Sequence, residues 1–181
     1  LMPDITPATL SPAGLAALAS VDVNTLPVVA QGEYAVPWSG MGKFICIGLN
    51  YADHAAETGK SVPPEPVIFL KATSAICGPD DPMEIPQGSV KADWEVELGI
   101  VIGSTCRYLA SPADAWGCIA GFVVSNDVSE RTFQLDRGGQ WMKGKSAETF
   151  NPLGPWLVTP DELDFGAGLD LWLDVDGQRR Q

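Results

Sequence analysis

The sequence predicts an α+β domain, and two patterns carry that expectation. Four apolar runs of strand length, "KFICIGLN" (43 to 50), "PVIFLK" (66 to 71), "DWEVELGIVIG" (93 to 103) and "GFVVSND" (121 to 127), read as buried strands. Between them lie segments with helix-start signals, and 15 prolines and 19 glycines spread along the chain cut it into many short elements. At 181 residues, 45% hydrophobic and 19% charged, the chain suits one globular domain with a sizeable core, or part of something larger.

Taken in order, residues 1 to 40 are Pro- and Ala-rich and form a small N-terminal element. Ser11 can cap a helix with Pro12 at its first position, followed by "AGLAALAS". Residues 41 to 181 form the main domain. The strand 43 to 50 runs into "YADHAAETG", which has helical character and a stop at Gly59. After the 66 to 71 strand and a loop over 78 to 89 comes 93 to 103, then "SPADAWGCIAG" as a short capped helix. The 121 to 127 strand ends in Asp127, and "VSERTFQLDRGGQW" is expected to be helical. "KGKSAETFNPLGPWLVT" then forms a structured loop that enters a strand. Near the end "LDLWLDV" (169 to 175) alternates, with Asp176-Gly177 as a hairpin turn. Only "QRRQ" follows that turn, so the domain is expected to be incomplete at its C-terminus.

With 23 acidic against 11 basic residues, the net charge of −12 argues against nucleic acid or an anionic membrane as partner. No apolar run approaches the roughly 20 residues of a membrane span, and no signal peptide is recognised. Cys46, Cys77, Cys106 and Cys118 form no CxxC pair and read as reduced thiols of a cytoplasmic protein.

The chemistry concentrates on carboxylates. Glu95 and Glu97 are two residues apart in an apolar strand, so both project to one face while Trp94, Val96, Leu98 and Ile100 project to the other as the expected core. Two like charges there require a bound cation, basic side chains or solvent. Asp127 adds a third carboxylate, and three oxygen donors without clustered His or Cys suit Mg²⁺ or Mn²⁺ better than zinc or copper. His54, the only histidine, stands three residues before Glu57, a pairing that on a helix gives a base and its orienting carboxylate. Arg131 and Gln134 follow Asp127 at offsets of four and seven, on one side of the expected helix, where Arg131 could fork a substrate carboxylate. Lys145, Lys143 and Lys71 are candidate cations for a developing enolate. Each feature also has an ordinary structural explanation when taken alone.

Together the pieces resemble the fumarylacetoacetate hydrolase family from about Lys43 onward. The resemblance rests on "GLNYADHAAE", "FLKATSAICGP", "DWEVELGIVIG", "NDVSERTFQ" and "GGQWMKGKSAETFNPLGPW", five motifs in the family's order. It implies a mixed, rolled β-sheet and a homodimer, with Glu95, Glu97 and Asp127 holding Mg²⁺ or Mn²⁺. It further implies His54 and Glu57 as the water-activating dyad, Lys145 as a catalytic cation, and Arg131, Gln134, Lys71 and Tyr51 around the substrate. Two departures stand out. Ala147 and Glu148 occupy positions where relatives usually carry an aromatic residue and Asp, and a "GTPxGVG"-like loop near the substrate is absent from this chain.

The resemblance is strongest to bacterial members named ureidoglycolate lyase or 2,4-diketo-3-deoxy-L-fuconate hydrolase. The expected reaction is metal-assisted cleavage of a carbon–carbon bond in a 2,4-dioxo acid, an acylpyruvate-like small molecule. Decarboxylation of oxaloacetate and ureidoglycolate lysis are alternatives on the same site, and a non-catalytic cation-binding protein is a third.

Overall fold

A computed structural model describes residues 4–28, 32, 34–52, 59 and 61–181. The N-terminal element is ordered by the helix that the sequence signals. Helix α1 (Pro12–Ala19) is capped by Ser11, whose hydroxyl accepts from the Gly14 amide. Preceding it, Leu10 is buried in the main core beside Trp38, Val101, Ala120, Val123 and Leu153, so the leader packs onto the domain.

The sheet elements are short two-stranded ladders. Strand β1 (Ile45–Gly48) pairs antiparallel with β2 (Val67–Leu70). Strand β3 (Ile76–Cys77) pairs parallel with β8 (Asn151–Pro152), and β4 (Ala92–Asp93) antiparallel with β7 (Ser129–Glu130). The longest ladder joins β5 (Val96–Ile102) to β6 (Ile119–Asn126), antiparallel. Strands β9 (Asp174–Val175) and β10 (Gln178–Arg179) form the terminal hairpin. The α+β class and a mixture of parallel and antiparallel pairing hold. The ladders are small and unclosed, and a rolled sheet is not seen among the described residues.

Several boundaries move for local reasons. The expected strand over 93 to 103 divides into β4 and β5, with Trp94 and Glu95 between them. The segment after Asp127 is not one helix. It starts as β7 and continues as a π-helical turn, Thr132–Asp136, because Glu130 is captured by the chain before β4. Its carboxylate accepts from the Val90, Lys91 and Phe133 amides at 3.0, 2.8 and 2.6 Å. These bonds draw 90 to 93 alongside 129 to 130. The segment "SPADAWGC" forms a 3-10 helix (Pro112–Cys118) with the Ser111–Asp114 capping box. Of the 169 to 175 alternation only Asp174–Val175 is strand, and Asp176 and Gly177 both take positive φ at the turn.

The inside and outside of β5 are reversed from expectation. The face shared by Glu97, Gly99 and Val101 meets Ser125 and Val123 across the ladder and runs into the main core. Ile100 and Ile102 on the opposite face are 55% and 57% exposed, and Val124 beside them is 55% exposed. Both faces of "LGIVIG" are apolar, so a period of two cannot tell which points inward. The carboxylates therefore stand at one end of the core face. No helix among the described residues is long and apolar enough to cross a membrane.

Candidate active site

The carboxylates are brought together by the β5–β6 ladder continuing past its named ends. The Asp127 amide donates to the Glu95 carbonyl at 2.8 Å, and the Glu95 amide donates to the Asn126 side chain at 3.1 Å. Glu95 and Asp127 thus face each other across two chains, with Glu97 one step along. All three line a cavity of about 330 Å³. Arg131, Gln134, Lys145 and Tyr51 line it too, with Phe69, Trp94 and Trp141 as an aromatic wall.

Basic side chains neutralise the pair. Lys145 Nζ donates to Glu95 Oε2 at 2.8 Å, to Asp127 Oδ2 at 2.5 Å and to Ser129 Oγ at 2.8 Å. Lys71 Nζ donates to Asp127 Oδ1 at 2.5 Å and to the Phe150 and Val128 carbonyls at 2.8 and 3.3 Å. Both lysines are buried. Lys71 lies behind the carboxylates and does not line the cavity, whereas Lys145 does.

Placement of Lys145 depends on a close approach. It ends helix α2 (Met142–Lys145), and a Cβ added to Gly144 would lie 2.4 Å from the Glu130 carbonyl oxygen and 2.6 Å from the Gln134 nitrogen. Only glycine lets the helix seat there and aim its lysine at the carboxylates. Lys143, the alternative considered from sequence, is exposed and donates to the Arg137 carbonyl.

Arg131 is held from three sides. Asp93 Oδ2 accepts from its Nε at 2.8 Å and lies 2.7 Å from its Nη2, Glu95 Oε1 is 2.6 Å from Nη1, and Gln134 Oε1 accepts from Nη1 at 3.1 Å. Arg131 and Gln134 therefore meet as expected, through a π-helical turn instead of a regular helix face. The Tyr51 hydroxyl sits at the free edge of β5, bonded to the Glu97 carboxylate and 3.4 Å from the Leu98 amide.

The electrostatics differ sharply among the carboxylates. Burial, then Glu95 and Asp127, push Glu97 up to about 7, while the Tyr51 bond and Lys145 pull the other way. Burial also raises Asp127, but Lys145 and Lys71 outweigh it and hold that carboxyl below its usual range. Behind the site, burial first and Asp127 second push the Cys46 thiol up to about 12, which makes it an inert neutral group.

Among the described residues, no three His, Cys, Asp or Glu side chains converge closely enough to hold a metal ion. The oxygens of Glu95 and Asp127 are instead directed at Lys145, Lys71 and Arg131. The donor chemistry still fits a hard divalent ion, since Glu95, Glu97 and Asp127 offer only oxygen from one cavity wall. His54 and Glu57 lie outside the described residues.

Sequence reasoning gave no role to Asp93, Ser129, Glu130 or Trp141, although each lies inside a quoted motif. Asp93 shares the alternation phase of Glu95 and was legible as its neighbour. Ser129, Glu130 and Trp141 are placed by tertiary contacts that spacing does not reveal. The Trp141 ring stacks edge-on against Phe69 at 5.4 Å, and a Cβ on Gly48 would lie 2.3 Å from it.

A Burkholderia lata protein, named provisionally as a hydrolase, is 56% identical over 181 residues, which cover 99% of this chain and 64% of that protein. The fumarylacetoacetate hydrolase of Exiguobacterium antarcticum superposes with a TM-score of 0.76 at 36% identity, over 90% of this chain and 58% of that one. The 5-carboxymethyl-2-hydroxymuconate delta-isomerase of Mycobacterium smegmatis gives a TM-score of 0.67 at 42% identity, over 82% and 57%. The chain thus spans a little under two thirds of the length of the curated relative. Residues 43–181 match the family model described as fumarylacetoacetate hydrolase, C-terminal. The chain belongs to the fumarylacetoacetate hydrolase family, whose members are enzymes.

Proposed function

We propose that the protein is a divalent-metal-dependent hydrolase that cleaves a carbon–carbon bond in a 2,4-dioxo acid. The observation that carries this reading is the single cavity in which Glu95, Glu97 and Asp127 meet Lys145, Arg131, Gln134 and Tyr51. Glu95, Glu97 and Asp127 would hold Mg²⁺ or Mn²⁺. Bound there, the ion would supply Lewis-acid polarisation and a template for a 2-oxo acid.

The chain's own groups account for the rest. Arg131, oriented by Asp93 on Nε and Nη2, would bind a substrate carboxylate by exchanging the Nη1 bonds that it now makes to Glu95 and Gln134. Gln134 fixes the same guanidinium and offers an amide to a polar substrate oxygen. Phe69, Trp94 and Trp141 exclude water from the acyl end of the substrate. The Lys145 ammonium stabilises negative charge on the pyruvate enolate released by bond cleavage. His54, oriented by Glu57, would take the proton of the attacking water, the role that the family motif gives them. The protein is proposed to act as a homodimer, on a small 2-oxo acid.

The test is a comparison of wild type and His54→Ala on acylpyruvates with Mn²⁺. Hydrolysis should fall by roughly 10²–10⁴-fold, the usual contribution of a general base. Full retention would overturn the hydrolytic assignment. A second reading has a specific observation behind it, since one similar structure is named an isomerase. Isomerisation needs proton transfer without carbon–carbon cleavage, and would convert substrate with no pyruvate formed.

A further inference from the structure

Lys145 holds two of the oxygens that the proposed metal would need. Its ammonium lies between Glu95 Oε2 and Asp127 Oδ2, one from each of two proposed ligands, and its third donor is taken by Ser129 Oγ. At 2% exposure the residue is almost wholly buried at the cavity wall, with the Phe69 ring centroid 5.2 Å away. A carboxylate oxygen bonded this closely to an ammonium cannot also take a hard cation without bringing a unit charge against a double one, a repulsion strengthened by burial. Lys71 is different. Two of its three acceptors are the Val128 and Phe150 carbonyls, which belong to no proposed ligand, so it has a seat of its own.

We infer that the Lys145 ammonium and the divalent cation are mutually exclusive occupants of the Glu95 and Asp127 oxygens, so that metal binding displaces Lys145 into the cavity. This inference rests on the metal reading above and adds an order of events to it. Without metal the lysine stands in for the cation and keeps the buried carboxylates neutralised, which preserves the folded site. With metal the same lysine is released toward the substrate, at the end of a helix whose seat on the Glu130–Gln134 segment does not have to change. The catalytic ammonium thus becomes available only when the metal is in place, and metal binds before productive substrate. The coupling is reciprocal, because anything that draws Lys145 away from the carboxylates must tighten metal binding by the same factor.

Two measurements on the full-length protein test this. Mn²⁺ affinity is measured by calorimetry for wild type, Lys145→Met and Lys145→Gln, the last keeping a hydrogen-bonding head where the apolar variant fails to fold. Removing the competing charge should tighten Mn²⁺ binding by about tenfold or more. In parallel, wild type is reductively methylated with formaldehyde with and without Mn²⁺, and the modified peptides are quantified by mass spectrometry. Lys145 labelling should rise several-fold with Mn²⁺, with Lys71 protected in both states and exposed Lys143 as the reference. Unchanged or weaker Mn²⁺ affinity in the Lys145 variants, or Lys145 equally protected in the Mn²⁺-bound protein, would overturn the inference while leaving the metal site standing. Wild type and both variants all failing to bind Mn²⁺ would instead overturn the metal reading, and this inference with it.

Discussion

Replacing Lys71 with methionine removes a cation that the structure uses as a structural pin. The ammonium is buried, bonded to Asp127 Oδ1 at 2.5 Å and to the Phe150 and Val128 carbonyls at 2.8 and 3.3 Å. Its loss leaves one side of the Asp127 carboxylate without a partner and two carbonyls short of a donor. Breaking a buried ion pair by removing one partner costs about 3–5 kcal/mol, because the surviving charge stays buried. Lys145 on the other Asp127 oxygen limits the damage, so the lower half of that range is expected. With a urea m-value of about 2 kcal/mol/M, a loss of about 3 kcal/mol moves the unfolding midpoint down by roughly 1.5 M. The assay is urea unfolding followed by circular dichroism on metal-free protein. Lys71→Met/Asp127→Asn should recover part of the loss, since the second change removes the stranded charge. A Lys71→Met midpoint within about 0.3 M of wild type would refute the reasoning, showing that Lys145 alone neutralises Asp127.

Three further outcomes follow from the same geometry. Glu130→Gln should destabilise by about 1–3 kcal/mol in the same unfolding assay, because an amide nitrogen would face one of the Val90, Lys91 and Phe133 amides that the carboxylate now accepts from. Gly144→Ala should cost about 1–3 kcal/mol, as its Cβ meets backbone at 2.4 and 2.6 Å, and should lower activity further by moving Lys145. The third outcome concerns pH. Glu97 is raised from 4.5 to about 7, by burial first and then by Glu95 and Asp127. Between those values the folded protein holds a proton that the unfolded chain has released. Stability in EDTA should therefore fall as pH rises through this window, by up to about 3 kcal/mol, and Glu97→Gln should flatten that slope.

Which residues lie close together was more legible in the sequence than how the chain brings them there. Motif order put Glu95, Glu97, Asp127, Arg131, Gln134, Tyr51 and Lys145 in one place, and all seven line one cavity. Spacing did less well. Arg131 and Gln134 were expected on a helix face shared with Asp127, and they meet because Glu130 pins a strand pair and a π-helical turn follows it. Glu95, just before β5, and Glu97 within it line one cavity, but Val96, Leu98 and Ile100 do not form the core behind them. Instead the core continues along their own face to Val101, a choice that the two apolar faces of "LGIVIG" left undetermined. Of the three options open from sequence for neutralising Glu95 and Glu97, basic side chains serve Glu95, through Lys145 and Arg131, while Lys71 and Lys145 serve Asp127 and Glu97 is bonded by Tyr51. That assignment needed long-range contacts, such as the 56 positions between Lys71 and Asp127.

The most direct test of the proposed activity is pyruvate release from an acylpyruvate by the full-length protein, followed by coupled lactate dehydrogenase, with Mn²⁺ and then with EDTA. Pyruvate and the carboxylic acid should form in equal amounts with Mn²⁺, and both should be lost in EDTA and in Asp127→Asn. Equal rates with Mn²⁺ and EDTA, or a folded Mn²⁺-bound protein that releases no pyruvate, would contradict it.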